Sequence, residues 1–302
     1  MWLVIAILAY FILAIVFLID KYLLVSSIPN PKVYVFYVGT LGILVLILAP
    51  FVGFYVPEIS QIVLSLAAGA IFVFALFWFY KSLQLFEASR VVPAISGLVP
   101  LFTFFLVYIS SFGKEVLSFS EITAFILLIF GSILIVTERR KFINLKSLKI
   151  SIICAFFLSL SFVLIKYVYL ALPFWTGFFW KSIGGFLMAF CFFILFPEVR
   201  KEIFKKREKS SPKTATIFLI NQAAGGGAAI LQNWAVALAP LVYVAFINAL
   251  QGVQYVFLLV LTVFLSLKLP HVLKEEISRE AILQKIVAIL VIGGGLAILA
   301  IK

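Results

Sequence analysis

The sequence predicts an all-α integral membrane protein: ten transmembrane helices set out as two inverted five-helix repeats. Three observations predict it. The chain is 65% hydrophobic and only 12% charged, and its mean hydropathy of +1.24 lies far from the balance of a soluble domain. Apolar runs long enough to cross a bilayer, about 20 residues each, follow one another with few breaks. One short pattern also recurs 145 residues later: Phe17 with Lys21-Tyr22, then Phe162 with Lys166-Tyr167. The same offset carries Phe11 onto Phe156 and Gly39 onto Gly184. A slightly larger offset carries Ala67-Ala68-Gly69 and Trp78 onto Ala223-Ala224-Gly225 and Trp234. A membrane chain whose second half echoes its first is the sequence sign of a transporter built from repeats.

The ten spans form one membrane domain over 1–302, divided into a first repeat at 1–138 and a second at 147–302. Span 1 (2–27) lacks a positive n-region and is longer than a signal-peptide h-region, so it is expected to be retained. Span 2 (33–52) carries Gly39 and Gly42; span 3 (61–86) carries Trp78 and Lys81, with Gln84 and Glu87 at its end. In span 4 (91–112), Pro93 and Pro100 predict local bending, and Ser96 is a candidate cavity residue. Span 5 (119–137) has a central Gly131. Span 6 (150–171) holds Lys166, and span 7 (174–197) holds Lys181 before Gly184-Gly185. Span 8 (215–238) is rich in amides and contains Gly225-Gly226-Gly227, which reads as close packing or as a bend beside a cavity. Spans 9 (241–267) and 10 (281–301) finish the chain, the last with Gly293-Gly294-Gly295. The longest connection, about 198–214, reads as a short basic loop. Cys154 and Cys191 fall inside spans as packed thiols, and two cysteines offer no disulfide framework or metal cluster.

Charge sets the orientation. Of the 24 Lys and Arg, Lys21, Lys81, Lys166 and Lys181 lie within spans, and Lys114 and Lys302 lie on one side. All the others fall in or beside the connections of the opposite side, which the positive-inside rule makes cytoplasmic. Both termini are then outside a plasma membrane. Five spans per half force the second copy to enter from the opposite face, so the repeats are inverted about an axis in the membrane plane. Lys21 and Lys166 would guard opposite mouths of one pathway. The basic stretch 198–213 is expected to meet anionic headgroups; no folded module presents a nucleic-acid surface. The chain is expected to be a monomer or homodimer.

These residues carry a family resemblance over nearly the whole chain. The chain resembles the drug/metabolite transporter superfamily, in particular its ten-helix EamA-type members. The residues that carry the likeness are Phe17 to Lys21 and Phe162 to Lys166, an aromatic four residues before Lys in the first helix of each repeat. Lys181 before Gly184-Gly185 matches the second helix of a repeat, where the first half has Phe36 instead. Pro100-Leu101, Glu115 and Gly131 follow the order of the fourth and fifth helices; Glu280 and Gly293 echo it without the Pro-Leu. The segment from Leu269 to Glu280 is longer than its counterpart, and members of this type keep both termini in the cytoplasm, whereas the charges here place them outside.

Polar residues inside lipid are costly and mark function. In span 8, Asn221, Gly225, Ala228 and Gln232 share one helical face, and Gln222, Ala229 and Asn233 form the adjacent stripe. In span 9, Asn248, Gln251 and Tyr255 share a face with Gln254 beside it. Trp78, Trp234 and Tyr255 supply flat walls, and Lys21, Lys166 and Lys181 supply charge. Interhelical bonding that fixes packing competes with substrate lining for each amide, and snorkelling competes for each lysine. Asp20 is the sole aspartate. It reads as a proton-coupling residue or as one half of an ion pair with Lys21 or Arg90. One aspartate, a loop histidine (His271) and no Gly-x-x-x-x-Gly-Lys-Ser/Thr loop leave no catalytic apparatus, cofactor or metal site to expect. Carriage of a small polar metabolite, anionic or zwitterionic, is the leading expectation. A lipid-linked headgroup flippase and a non-transporting scaffold are the alternatives.

Overall fold

The computed structural model describes residues 1–26, 30–85, 88–136, 145–204, 212–268 and 279–300. Among them there are helices and no strands. The helices are α1 (Trp2–Ser26), α2 (Pro31–Gly42), α3 (Ala49–Val52), α4 (Ile59–Leu85), α5 (Ala88–Ser110), α6 (Phe119–Val136) and α7 (Leu145–Ala171). Then come α8 (Phe174–Leu195), α9 (Pro197–Phe204), α10 (Pro212–Leu238), α11 (Val244–Ala249), α12 (Gln251–Lys268) and α13 (Arg279–Ala300). Among the described residues, six helical stretches are long and apolar enough to cross a membrane: Trp2–Asp20, Pro31–Val52, Ile59–Ser82, Leu148–Ala171, Phe174–Leu195 and Leu241–Leu258. Shorter apolar helices run over Ile95–Ser110, Phe119–Leu134 and Ile286–Ile298. Large apolar side chains, among them Phe51, Phe105, Phe130, Ile220 and Leu290, are exposed on the outside. An outer surface of this kind fits hydrocarbon and not water. The chain is a multi-pass membrane protein.

Local chemistry starts and ends these helices. Asn30 caps α2, accepting from the Lys32 amide at 3.0 Å with Pro31 in the first turn, where its missing N–H costs nothing. Ser118 and Glu121 form a capping box at α6: the Ser118 amide and hydroxyl both donate to the Glu121 carboxylate at 2.7 Å. After α5 the chain turns through Phe112 and Gly113, both at positive φ, and the Gly113 amide returns to the Tyr108 carbonyl at 2.9 Å.

Two expected spans are not continuous α-helices. Between α2 and α3 the chain tightens into a 3₁₀ stretch, Ile43–Leu48. Span 9 opens with a 3₁₀ turn at Leu241–Tyr243 and breaks at Leu250, between α11 and α12. The 198–214 connection is likewise more than a loop, because α9 occupies its first part. Val199 is fully buried there and Ile203 packs beside it, and Lys32 pairs with Glu198 at 2.7 Å. Residues 205–211 of that basic stretch, His271, and most of the segment from Leu269 to Glu280 lie outside the described residues.

Helix pairs define the interior. α4 lies against α7 and α8, α1 against α10, α6 against α13, α2 against α8, and α5 against α7 and α11. The closest approach is between α4 and α8. A Cβ on Gly69 would overlap the Lys181 carbonyl, and one on Gly184 would overlap the Leu66 carbonyl. Gly39 meets Ala189, and Gly295 meets the Ala124 carbonyl. The expected packing role fails elsewhere: Cβ atoms on Gly42, Gly226, Gly227, Gly293 and Gly294 would meet nothing within 4 Å. α10 runs through its glycine triplet as one helix, so the triplet neither packs closely nor interrupts the helix.

The bundle has two ends. At the upper end, where α1 begins, Trp2 stacks near Tyr243, Tyr243 donates to Glu121, and Tyr167 donates to Ser110 at 2.8 Å. At the lower end lie the Lys32–Glu198 pair and the bond from Gln284 to the Leu134 carbonyl, 2.8 Å. A large apolar core sits around Phe162, Ile165, Phe246 and Leu250, and a second around Leu23, Tyr34, Val73 and Phe192.

Candidate functional site

Of the helices beyond 20 residues, α10 is the one with Asn221, Gln222, Gln232, Asn233 and three consecutive glycines, and it appears among neither the long nor the shorter apolar spans. Its amides divide as the helical period requires. Asn221 and Gln232 face α1, and Gln222 and Asn233 face its neighbours on the adjacent stripe. Asn221 and Asn233 stand about 18 Å apart along the axis at about 1.5 Å per residue. The helix therefore touches three polar groups: a lower one at Asn221 and Gln222, and two more at Gln232 and Asn233, here called middle and upper.

The lower group centres on Asp20 of α1. Its Oδ1 accepts from the Tyr34 hydroxyl of α2 and from Asn221 Nδ2 at 2.7 Å. Asn221 Nδ2 also lies 3.5 Å from the Val16 carbonyl, while its Oδ1 is buried with no partner. Gln222 bonds to Tyr34, and Tyr34 meets Tyr80 edge-on at 4.8 Å. Among the described residues no ion pair engages Asp20; the side chains of Lys21 and Arg90, its expected partners, lie outside them.

The middle group surrounds the break in span 9. A helix break strands carbonyls inside the membrane, where each needs a donor. Tyr10 of α1 donates to the Ile247 carbonyl at 2.8 Å and accepts from Gln232 Nε2 at 3.2 Å. Ser132 of α6 reaches the Ala249 carbonyl at 3.5 Å. Gly252 admits this approach, because a Cβ there would overlap the Ser132 hydroxyl. Asn248 donates to Thr103 of α5 at 2.8 Å and leaves its buried Oδ1 unpartnered. Tyr255 bonds to Ser96 of α5, and Gln254 reaches the Leu13 carbonyl at 3.3 Å. Gln251 is half-buried at the start of α12.

The upper group holds two buried ammoniums. Lys181 of α8 donates to Asn233 Oδ1 at 2.8 Å and sits over the Phe72 ring at 4.8 Å. Tyr169 of α7 donates to the same Asn233 oxygen at 3.2 Å. Lys166 donates to the carbonyls of Ala237 at 3.0 Å and Ala239 at 2.5 Å. These carbonyls end α10, where the helix dipole favours a cation. Neither lysine meets a carboxylate among the described residues.

The expected site residues are thus distributed. Asp20, Asn221, Gln222, Gln232, Asn248 and Tyr255 join the lower and middle groups, and Lys166 and Lys181 the upper one. Trp78 packs beside the α5–α7 cluster of Ile95, Val99 and Cys154, its buried indole N–H unpartnered and Lys81 over its ring at 4.7 Å. Trp234 is 40% exposed and stacks on Phe174 and beside Trp175 at the upper rim, a position typical of an interfacial belt. Sequence reasoning passed over Tyr10, Tyr34, Thr103, Ser132 and Tyr169. The available signal was periodicity: Tyr10, Leu13, Phe17 and Asp20 recur at helical spacing on one face of α1.

No family model matches the chain, and no curated protein matches it. Among the solved structures that it resembles, one described only as "Crystal structure of protein" superposes with a TM-score of 0.65 at 17% identity. The alignment covers 98% of this chain and 94% of that chain. At that identity the likeness concerns the fold alone.

Proposed function

We propose that the chain is a ten-span carrier of the drug/metabolite transporter type that moves a small anionic or zwitterionic metabolite by alternating access. The observation that carries the reading is the polar path along α10, with Lys166 and Lys181 buried at one end without a carboxylate partner. Several features support it. Taken as crossings, the six long apolar stretches, the three shorter ones and α10 would add up to the ten spans of this reading. Exchanging the two halves turns the α1–α10 contact into the α4–α7 contact and leaves α6–α13 and α2–α8 unchanged, a two-fold relation compatible with repeats. The α4–α8 pair is in close backbone contact, whereas its counterpart, α2–α10, touches only briefly. Such asymmetry is what one half-cycle of an alternating-access device looks like.

In this reading the basic connections face the cytoplasm and both termini face outward. Single-cysteine reporters at Glu58→Cys and Glu198→Cys, both exposed positions, then label from outside and inside respectively. Transport is tested by counterflow into proteoliposomes across a panel of carboxylates, phosphate esters and amino acids. Lys181→Gln is expected to lower uptake of any transported anion at least about tenfold, the loss of about 1.4 kcal/mol. A panel in which nothing moves, or in which Lys181→Gln changes nothing, defeats the reading.

A further inference from the structure

The lower polar group contains an unfinished hydrogen-bond ring. Asn221 gives its Nδ2 to Asp20 Oδ1 at 2.7 Å, while Asn221 Oδ1, on a residue only 1% exposed, has no donor. A carboxylic acid and a carboxamide pair through two bonds: amide N–H to acid carbonyl, and acid O–H to amide oxygen. The first bond is present here. The second requires a proton on Asp20, whose carboxyl is already held against this amide through Oδ1. An ionised Asp20 leaves the Asn221 oxygen orphaned, and a buried orphan acceptor is costly.

We propose that Asp20 and Asn221 form a proton-binding site through which the carrier couples solute movement to a proton gradient, with Tyr34 as the positioning residue. This rests on the carrier reading. In the cycle, Asp20 takes one proton from one compartment, donates it to Asn221 Oδ1 while protonated, and releases that proton to the other compartment. No other species is consumed.

The surroundings fit a group that exchanges a proton. From α2 the carboxylate meets Tyr34 and from α10 it meets Asn221, with Gln222 engaged on Tyr34 and Tyr80 of α4 packed edge-on against the Tyr34 ring. α12 sends Gln254 to α1 at Leu13 instead. Among the described residues no ion pair engages Asp20. The site also ties together helices that meet only here, through Gln222 and Phe218 of α10 against Tyr34 of α2. Asp20 on α1 is bonded to both α2 and α10, the pair whose contact is brief where α4 and α8 are tightly closed. Gain and loss of the proton therefore act at the closure that must change during transport.

The test has two arms on the full chain in liposomes. Infrared difference spectra between acid and alkaline buffer are expected to show a buried carboxyl band that Asp20→Asn abolishes. Tyr34→Phe is expected to move that band to higher frequency by removing a donor, which a merely structural role of Tyr34 would not do. Spectra identical in Asp20→Asn and the parent overturn the proposal. In the second arm, solutes that move in counterflow are loaded against a pH gradient or a sodium gradient. The parent is expected to accumulate them with the pH gradient, and Asp20→Asn to lose that accumulation. Counterflow without proton-driven accumulation, or accumulation that follows sodium, refutes the coupling and leaves the carrier reading standing. If no solute moves at all, the carrier reading fails, and the coupling proposal that rests on it falls too.

Discussion

Gly69→Ala should separate α4 from α8, and the cost can be worked from the crossing. The added Cβ would overlap the Lys181 carbonyl oxygen and stand 2.8 Å from the Gly185 amide nitrogen, where ordinary contact begins at 3.4 Å. Both obstacles are backbone, so neither can swing aside as a side-chain end would. The helices must part by on the order of 1 Å, and overpacking of this kind costs about 1–3 kcal/mol. Alanine also favours helix over glycine by about 1 kcal/mol, which blurs a single measurement. Gly227→Ala supplies the reference, because its Cβ meets nothing within 4 Å and it gains the same helix preference. The difference between the two variants isolates the steric cost: Gly69→Ala is expected to be about 1–3 kcal/mol less stable than Gly227→Ala. Denaturing-detergent titration in mixed micelles, followed by tryptophan fluorescence, reads that gap. Equal midpoints would refute the close crossing. The consequence reaches the site, since the overlapped carbonyl belongs to Lys181, whose ammonium is fixed on Asn233.

Two further substitutions test the rest of the frame. Tyr10→Phe leaves the Ile247 carbonyl without its donor at the helix break, so the same titration should show a loss of about 1–3 kcal/mol. Glu198→Gln removes the ion pair to Lys32, whose side chains are 26% and 58% exposed; a loss below about 1 kcal/mol is expected, shrinking further in high salt.

Composition and run length foretold an all-helical membrane chain because hydrocarbon demands an apolar exterior whatever the topology. The face of α10 was legible too. Asn221 and Gln232 keep helical register, and both do turn onto α1. The break at Leu250 was not. Residues 244–250 are apolar except for Asn248 and suit a continuous helix, and the group that serves a carbonyl at the interruption, Tyr10 on Ile247, lies far away in sequence. Lys166 was legible but its partners were not: they are the backbone carbonyls of Ala237 and Ala239, which leave no trace in residue type. Glycines misled through conspicuousness. The isolated Gly69 sits at the tightest crossing, while Gly226 and Gly227 in the obvious triplet touch nothing.

The distribution of charge favours a carrier over a scaffold. Moving an ion into hydrocarbon costs several kcal/mol unless it is paired, and apolar residues of similar size usually serve a packed interior at least as well. Lys166 and Lys181 are 2% and 6% exposed, yet they rely on carbonyls, an amide and an aromatic face, with no carboxylate among the described residues. Asp20 relies on a phenol and an amide. Opposite charges thus sit at opposite ends of α10, too far apart to neutralise each other. A scaffold gains nothing from this separation. The proposed carrier would: it would use the ammoniums at one end for an anionic solute and the carboxyl at the other for a proton, and one helix carries amides that contact Lys181 and Asp20.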